Sequence, residues 1–271
     1  MFPPFEEDEA LEKCRWLVGK LDAGELELCR LSPESSERSD QGLMLAAMIA
    51  CGADSRKELY VACSGLSRQL AVVNPQLAES FQIAPPLVSP ESVAQALAKN
   101  DGEIHALTAR LQDGSSLSPA GRQELKERRR NLTDESLGAV FSLYRFHCAD
   151  GRVRSLRELC DDHGRRTGRG EGLLPPTGTG ECAEQKLLDL AFARGLVPLS
   201  MAEVFYCTDG SPDAARKGQP VRPCDARCGI VLPAMLGLAI LYRDEDIIVV
   251  DKPGGLLSVP GRGPDKQDCV V

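Results

Sequence analysis

The sequence has no surplus of positive charge. Its 271 residues carry 40 acidic against 32 basic side chains, a formal net charge of -8, so no global field draws it to a polyanion and any contact with nucleic acid must be local. Long apolar runs are also missing. The longest, Leu43 to Cys51 and Gly229 to Tyr242, fall short of the roughly 20 residues that a spanning helix needs, so no membrane association is expected. The opening residues, Met1-Phe2-Pro3-Pro4-Phe5-Glu6-Glu7, lack the basic region and apolar block of a secretory signal, and the expected compartment is the cytoplasm. No internal repeat or low-complexity tract interrupts the chain. Its 11 cysteines are odd in number and scattered, which with the missing export signal argues against a disulfide framework. Cys14, Cys29, Cys51, Cys63 and Cys160 read as small buried hydrophobes.

What is present is a chain with 42% hydrophobic residues, enough to bury a real core. Apolar stretches at Gln41 to Ala53 and Leu59 to Ser64 flank the turn signal Gly52-Ala53-Asp54-Ser55, and predict a hairpin. Ser89-Pro90-Glu91-Ser92 predicts a capped helix over about 91–99. Charged, helix-prone segments follow at 103–111 and 118–137 and contain Arg128, Arg129 and Arg130. Three consecutive arginines spread around a helix, so they are either a solvated face or local contacts to RNA phosphates. Six glycines and two prolines between Gly164 and Gly180 mark a loop, and a helix is expected over 181–194. The turn Gly178-Thr179-Gly180 lacks the Gly-Lys-Ser/Thr ending of a phosphate-binding loop and implies no nucleotide cofactor. After an irregular stretch at 208–227, regular structure is expected to resume near Gly229.

Three cysteines have suggestive neighbours. Cys182-Ala183-Glu184 matches half of the pattern by which zinc nucleoside deaminases hold their metal, with two cysteine or histidine ligands elsewhere and a glutamate that activates a bound water. Pro223-Cys224-Asp225-Ala226-Arg227-Cys228 departs from the other half, because three residues separate the cysteines instead of two. On a helix a spacing of four still places both thiols on one face. Ordinary structural cysteines, a structural or vestigial zinc site, and a working deaminase with Glu184 as acid/base all remain open on these residues, and the alternative function they offer is a zinc-binding or degenerate nucleoside deaminase-like module acting in RNA binding.

The C-terminal stretch, Ile240 to Val271, carries the most specific signal. Ile240-Leu241-Tyr242, an acidic turn at 243–246, and Ile247-Ile248-Val249-Val250 predict a hairpin, followed by Asp251-Lys252-Pro253-Gly254-Gly255 and Pro260. Taken together, this string resembles the first motif of the RluA family of pseudouridine synthases, and the segments around Cys182 and Cys224 resemble a subgroup with a long N-terminal extension. The resemblance implies isomerisation of uridine in rRNA or tRNA without a cofactor, with Lys252, Pro253, Gly255 and Pro260 beside the cleft. It also implies an essential aspartate in a His-Arg-Leu-Asp segment some tens of residues after the motif. None of His105, His147 and His163 begins such a segment, so the catalytic aspartate is expected beyond Val271. No catalytic residue is then expected in this chain, which is expected to be an N-terminal fragment, inactive alone. Lys20-Leu21-Asp22 has a similar outline but precedes the motif and reads as helix and turn. The expected fold class is α+β: a mixed N-terminal extension over 1–165, a Gly/Pro/Cys segment over 166–236 that a metal would stabilise, and the start of a catalytic domain over 237–271.

Overall fold

The computed structural model describes residues 5–31, 42–113, 117–167, 169–172, 174–237, 239–243, 246–251, 258–259 and 262. In chain order they form helix α1 (Asp8–Asp22) and strands β1 (Leu26–Arg30), β2 (Leu43–Cys51), β3 (Lys57–Cys63), β4 (Arg68–Val72) and β5 (Gln82–Ile83). Two long helices follow, α2 (Pro90–Asp113) and α3 (Pro119–Phe141), then β6 (Arg145–His147), β7 (Val153–Ser155) and α4 (Leu156–Arg166). The remainder is α5 (Ala183–Ala193), β8 (Val197–Tyr206), α6 (Cys228–Met235), β9 (Ala239–Arg243) and β10 (Ile248–Asp251). This is an α+β fold.

The central sheet has the order β5-β3-β2-β8. β2 and β3 form the expected hairpin, with Leu45 opposite Cys63 and Cys51 opposite Lys57. β8 runs antiparallel on the other side of β2, with Ala46 opposite Glu203. Because β2 is covered on both faces, its residues form an unbroken apolar run rather than an alternation. On one face, Leu45, Ala47, Val61 and Val204 pack against Ala10, Cys14, Leu17 and Leu21 of α1, which recur at helical spacing. The Cys14 thiol donates to the Ala202 carbonyl at 3.2 Å, and burial pushes its pKa up to about 12. On the other face, Ala46, Ala50 and Ala62 leave room for α5 and α6, whose Leu187, Leu188, Val231 and Leu232 complete the second core.

Helices α2 and α3 form a polar antiparallel pair. α2 runs unbroken through Asn100 and Gly102, where the sequence predicted two separate pieces. Asn100 is buried and donates its side-chain amide to Ser136 Oγ at 3.2 Å, so tertiary pairing overrides the local breaking signal. The expected cap forms, with Ser89 Oγ accepting from the Ser92 N–H, and Ser118 Oγ caps α3 in the same way by accepting from the Gly121 N–H. The predicted terminal hairpin is β9 with β10, and Tyr242, Ile247 and Val249 around it are exposed. Among the described residues no helix is long and apolar enough to cross a membrane.

The turn into α5 is tightly constrained. Gly180 has φ +100°, and a Cβ there would lie 2.5 Å from the Tyr144 ring. Gly195, just past the end of α5, also has positive φ (+66°) but has open space around it. Gly180→Ala is therefore expected to destabilise the protein by on the order of 2 kcal/mol or more, and Gly195→Ala by about 1 kcal/mol. Urea unfolding of both variants checks this; equal losses would show that the Tyr144 contact yields freely.

Candidate metal centre

Two helix starts meet above the second face of the sheet. Cys182 is the N-cap of α5 and Cys228 the first residue of α6. Cys224 arrives by another route. Residues 218–221 hydrogen-bond along the free edge of β8, through Phe205 N–H to Gln219 O at 3.0 Å and Val221 N–H to Glu203 O at 2.9 Å. The chain then turns at 225–227, and Gly229 N–H donates back to Cys224 O at 3.0 Å. The spacing of four thus works through a turn, since Cys224 lies ahead of the helix rather than on it.

The three Sγ atoms lie within 4.8 Å of one another. Tetrahedral zinc with Zn–S bonds of about 2.3 Å needs sulfurs about 3.8 Å apart, a closure within reach of side-chain adjustment. The three cysteines shift one another's titration. Hydrogen bonds from Cys182 and Cys228 hold the Cys224 pKa far below the ordinary thiol range, while the bond to Cys224 pushes Cys182 up to about 12. Cys228 is raised too, by its bonds to Cys182 and Cys224. Three sulfur donors beside the positive ends of two helices form a set suited to a soft divalent metal. Three ligands leave a fourth position open, and all three cysteines line a cavity of about 490 Å³.

Polar groups around the cluster are buried and mostly paired. Gln185 accepts from the Gly180 N–H at 2.9 Å and donates to Cys228 Sγ at 3.7 Å. Lys186 donates to the carbonyls of Cys63 and Gly65 at 2.8 and 2.7 Å. Glu184 and Glu203 are 2% and 6% exposed, and Glu184 Oε2 and Glu203 Oε1 have no hydrogen-bond partner. Burial raises both carboxyl pKa values, with the charge of Glu203 adding to the effect on Glu184 and that of Cys224 to the effect on Glu203, which reaches about 8.

Cys182, Cys224, Cys228 and Glu184, singled out in the sequence, thus come together. Glu203 and Arg227 escaped that reading. Glu203 is the lone charge in the apolar strand Val197–Tyr206, a signal that was there to be read; Arg227 gave none. Arg128 and Arg130 lie on α3, away from this cluster in the fold, paired with Glu103 at 2.5 Å and Asp134 at 3.8 Å, and Arg129 is half-buried. Lys252, Pro253, Gly255 and Pro260 lie outside the described residues.

No established family profile matches the chain, and no solved structure matches it. Over a short stretch it is similar to curated proteins. The dual-specificity RNA pseudouridine synthase RluA of Yersinia pestis is 56% identical over 34 residues, 12% of this chain and 16% of that protein. Its namesake in Escherichia coli (strain K12) is 59% identical over 34 residues, with the same coverage. The Haemophilus ducreyi protein is 55% identical over 31 residues, 11% of this chain and 14% of its own. The matches thus span only about a sixth of these relatives.

The donor set predicts that protein purified without chelator carries close to one zinc per chain, measured by mass spectrometry of the metal. Cys224→Ala should weaken zinc binding by more than the roughly 10–100-fold that loss of an outer partner costs. Occupancy should also fall as the solution is acidified, because protons compete for the thiolates. Metal-free protein across that range would refute the assignment.

Proposed function

We propose that this chain belongs to an RNA pseudouridine synthase of the RluA kind, and that residues 237–271 are the opening of its catalytic domain. The observation that carries this reading is the short, dense identity to the RluA synthases, at 56–59% over 34 residues. It agrees with the resemblance carried by Tyr242, Asp251-Lys252-Pro253, Gly255 and Pro260. Isomerising uridine requires a positioned carboxylate, a pocket for the extruded base and contacts that hold the phosphates. Lys252 and Pro253 are proposed beside that cleft. No residue up to Val271 is proposed as the attacking aspartate. Pseudouridine synthases need no cofactor, so a metal at the thiol cluster would serve the N-terminal part. RNA is the partner the reading requires. Arg128, Arg129 and Arg130 are candidate phosphate contacts, with Arg128 and Arg130 already engaged by carboxylates.

A second reading concerns residues 166–236. We infer a zinc-centred, deaminase-like unit, and what supports it is the convergence of Cys182, Cys224 and Cys228 on an open cavity, with two buried carboxylates at hand. When bound, zinc would supply a Lewis acid and an activated water. The protein's part is to orient the thiols at two helix starts and to keep the surroundings dry.

The family reading is tested by mapping pseudouridine in rRNA and tRNA from cells with and without the gene. One or more uridines should lose modification in its absence. An unchanged map would refute the reading.

A further inference from the structure

All ten cysteines among the described residues are free, and three of them meet. The sulfurs of Cys182, Cys224 and Cys228 lie within 4.8 Å of one another, but the three differ in access. Cys182 and Cys228 are 9% and 2% exposed, whereas Cys224 is half-buried in a turn whose Arg222, Asp225 and Ala226 face solvent. All three line one cavity, and Glu203 and Arg227 line it too, while Glu184 does not. Arg227 also donates to the Cys224 sulfur. Elsewhere, Cys14 and Cys63 are sealed in the core. The partly exposed Cys29 is bonded to the Glu27 carboxylate at 3.1 Å, which opposes formation of a thiolate.

We infer that Cys224 is a site of reversible oxidation, and that a hydroperoxide converts it, with Cys182, into a disulfide that removes two of the three metal-binding sulfurs. The inference shares its sulfurs with the metal-centre reading but requires no bound metal. The Cys224 sulfur, as its thiolate, attacks one peroxide oxygen; an S–O bond forms, the O–O bond breaks, and the departing oxygen takes up the proton that Cys224 released. Arg227 places N–H donors where that oxygen gains charge. Cys224 is then a sulfenic acid. The Cys182 sulfur next attacks the Cys224 sulfur; the S–S bond forms, the S–O bond breaks, and hydroxide leaves with the Cys182 proton as water. The cysteine pair gives up two electrons and two protons, and the peroxide is reduced. Two features select Cys182 over Cys228 as the partner. Cys182 precedes α5 and makes no capping hydrogen bond, so its own helix does not hold the thiol, while Cys228 lies within α6 and accepts from Gln185 at 3.7 Å. A Cys182–Cys224 bond also closes the longer loop, and longer loops gain more from a cross-link.

Treating the full chain, zinc-loaded and metal-free, with hydrogen peroxide tests this, each cysteine being followed by alkylation and peptide mass mapping. Cys224 is expected to lose its thiol at least roughly tenfold faster than Cys14 and Cys63. The loss should appear as a Cys182–Cys224 linkage, with zinc released in step, and a dithiol reductant should reverse both. Cys228→Ser should still form the linkage, whereas Cys182→Ser should leave Cys224 as a sulfenic acid that dimedone traps. A Cys224–Cys228 linkage, a Cys224 that reacts no faster than Cys14, or oxidation that the dithiol does not reverse would overturn the inference. The two readings fail separately. A linkage formed in protein that takes up no zinc leaves the inference standing and sinks the metal centre; zinc uptake by a chain whose Cys224 resists peroxide does the reverse.

Discussion

The first turn of α5 must be buried if the sheet is to be covered on its second face, and most of the site follows from that constraint. A helix start carries unsatisfied N–H groups, and here it also carries Glu184, Gln185 and Lys186, all shielded from solvent. Each must find partners inside the fold or cost several kcal/mol. Lys186 reaches the carbonyls where β3 ends, and Gly65 N–H donates to Glu181 O at 2.9 Å. Gln185 joins the 177–180 turn to α6. These bonds fix α5 along its axis, so Cys182 stands where the 224–228 turn arrives.

The arrangement leaves an electrostatic residue. Two carboxylates and three sulfurs share a region of low dielectric, with Arg227 as the guanidinium that acts on Cys182, Cys224 and Glu203. Raised carboxyl pKa values mean that ionising Glu184 and Glu203 opposes folding at neutral pH. A divalent cation held by the three cysteines would take the place of the protons they release on binding it, so its uptake depends on pH. Metal uptake is coupled to folding, because only the folded chain brings the three sulfurs together.

Much of the scaffold was legible in the sequence. The β2–β3 hairpin, the cap at Ser89, α5 and the β9–β10 hairpin follow from turn residues, a capping residue and apolar runs, which are local signals. The three cysteines were legible as candidates by their neighbours. What was hidden depends on long-range pairing: the continuity of α2 through Asn100 rests on Ser136 of α3, and Cys224 reaches its partners only because 218–221 pairs along β8. The orientation of Glu203 toward the cavity and of Glu184 away from it is likewise set by sheet register and helix placement, neither of which a motif records. Lys20-Leu21-Asp22, read as helix and turn, closes α1, with Leu21 in the core and Asp22 accepting from Lys217.

The central claim is that Cys182, Cys224 and Cys228 hold a metal and leave one position facing the cavity. X-ray absorption at the zinc edge of the intact protein addresses it directly, by counting sulfur and lighter atoms in the coordination sphere. Three sulfurs at about 2.3 Å with one oxygen or nitrogen is the predicted result. Four sulfurs, or a sphere without sulfur, would contradict it.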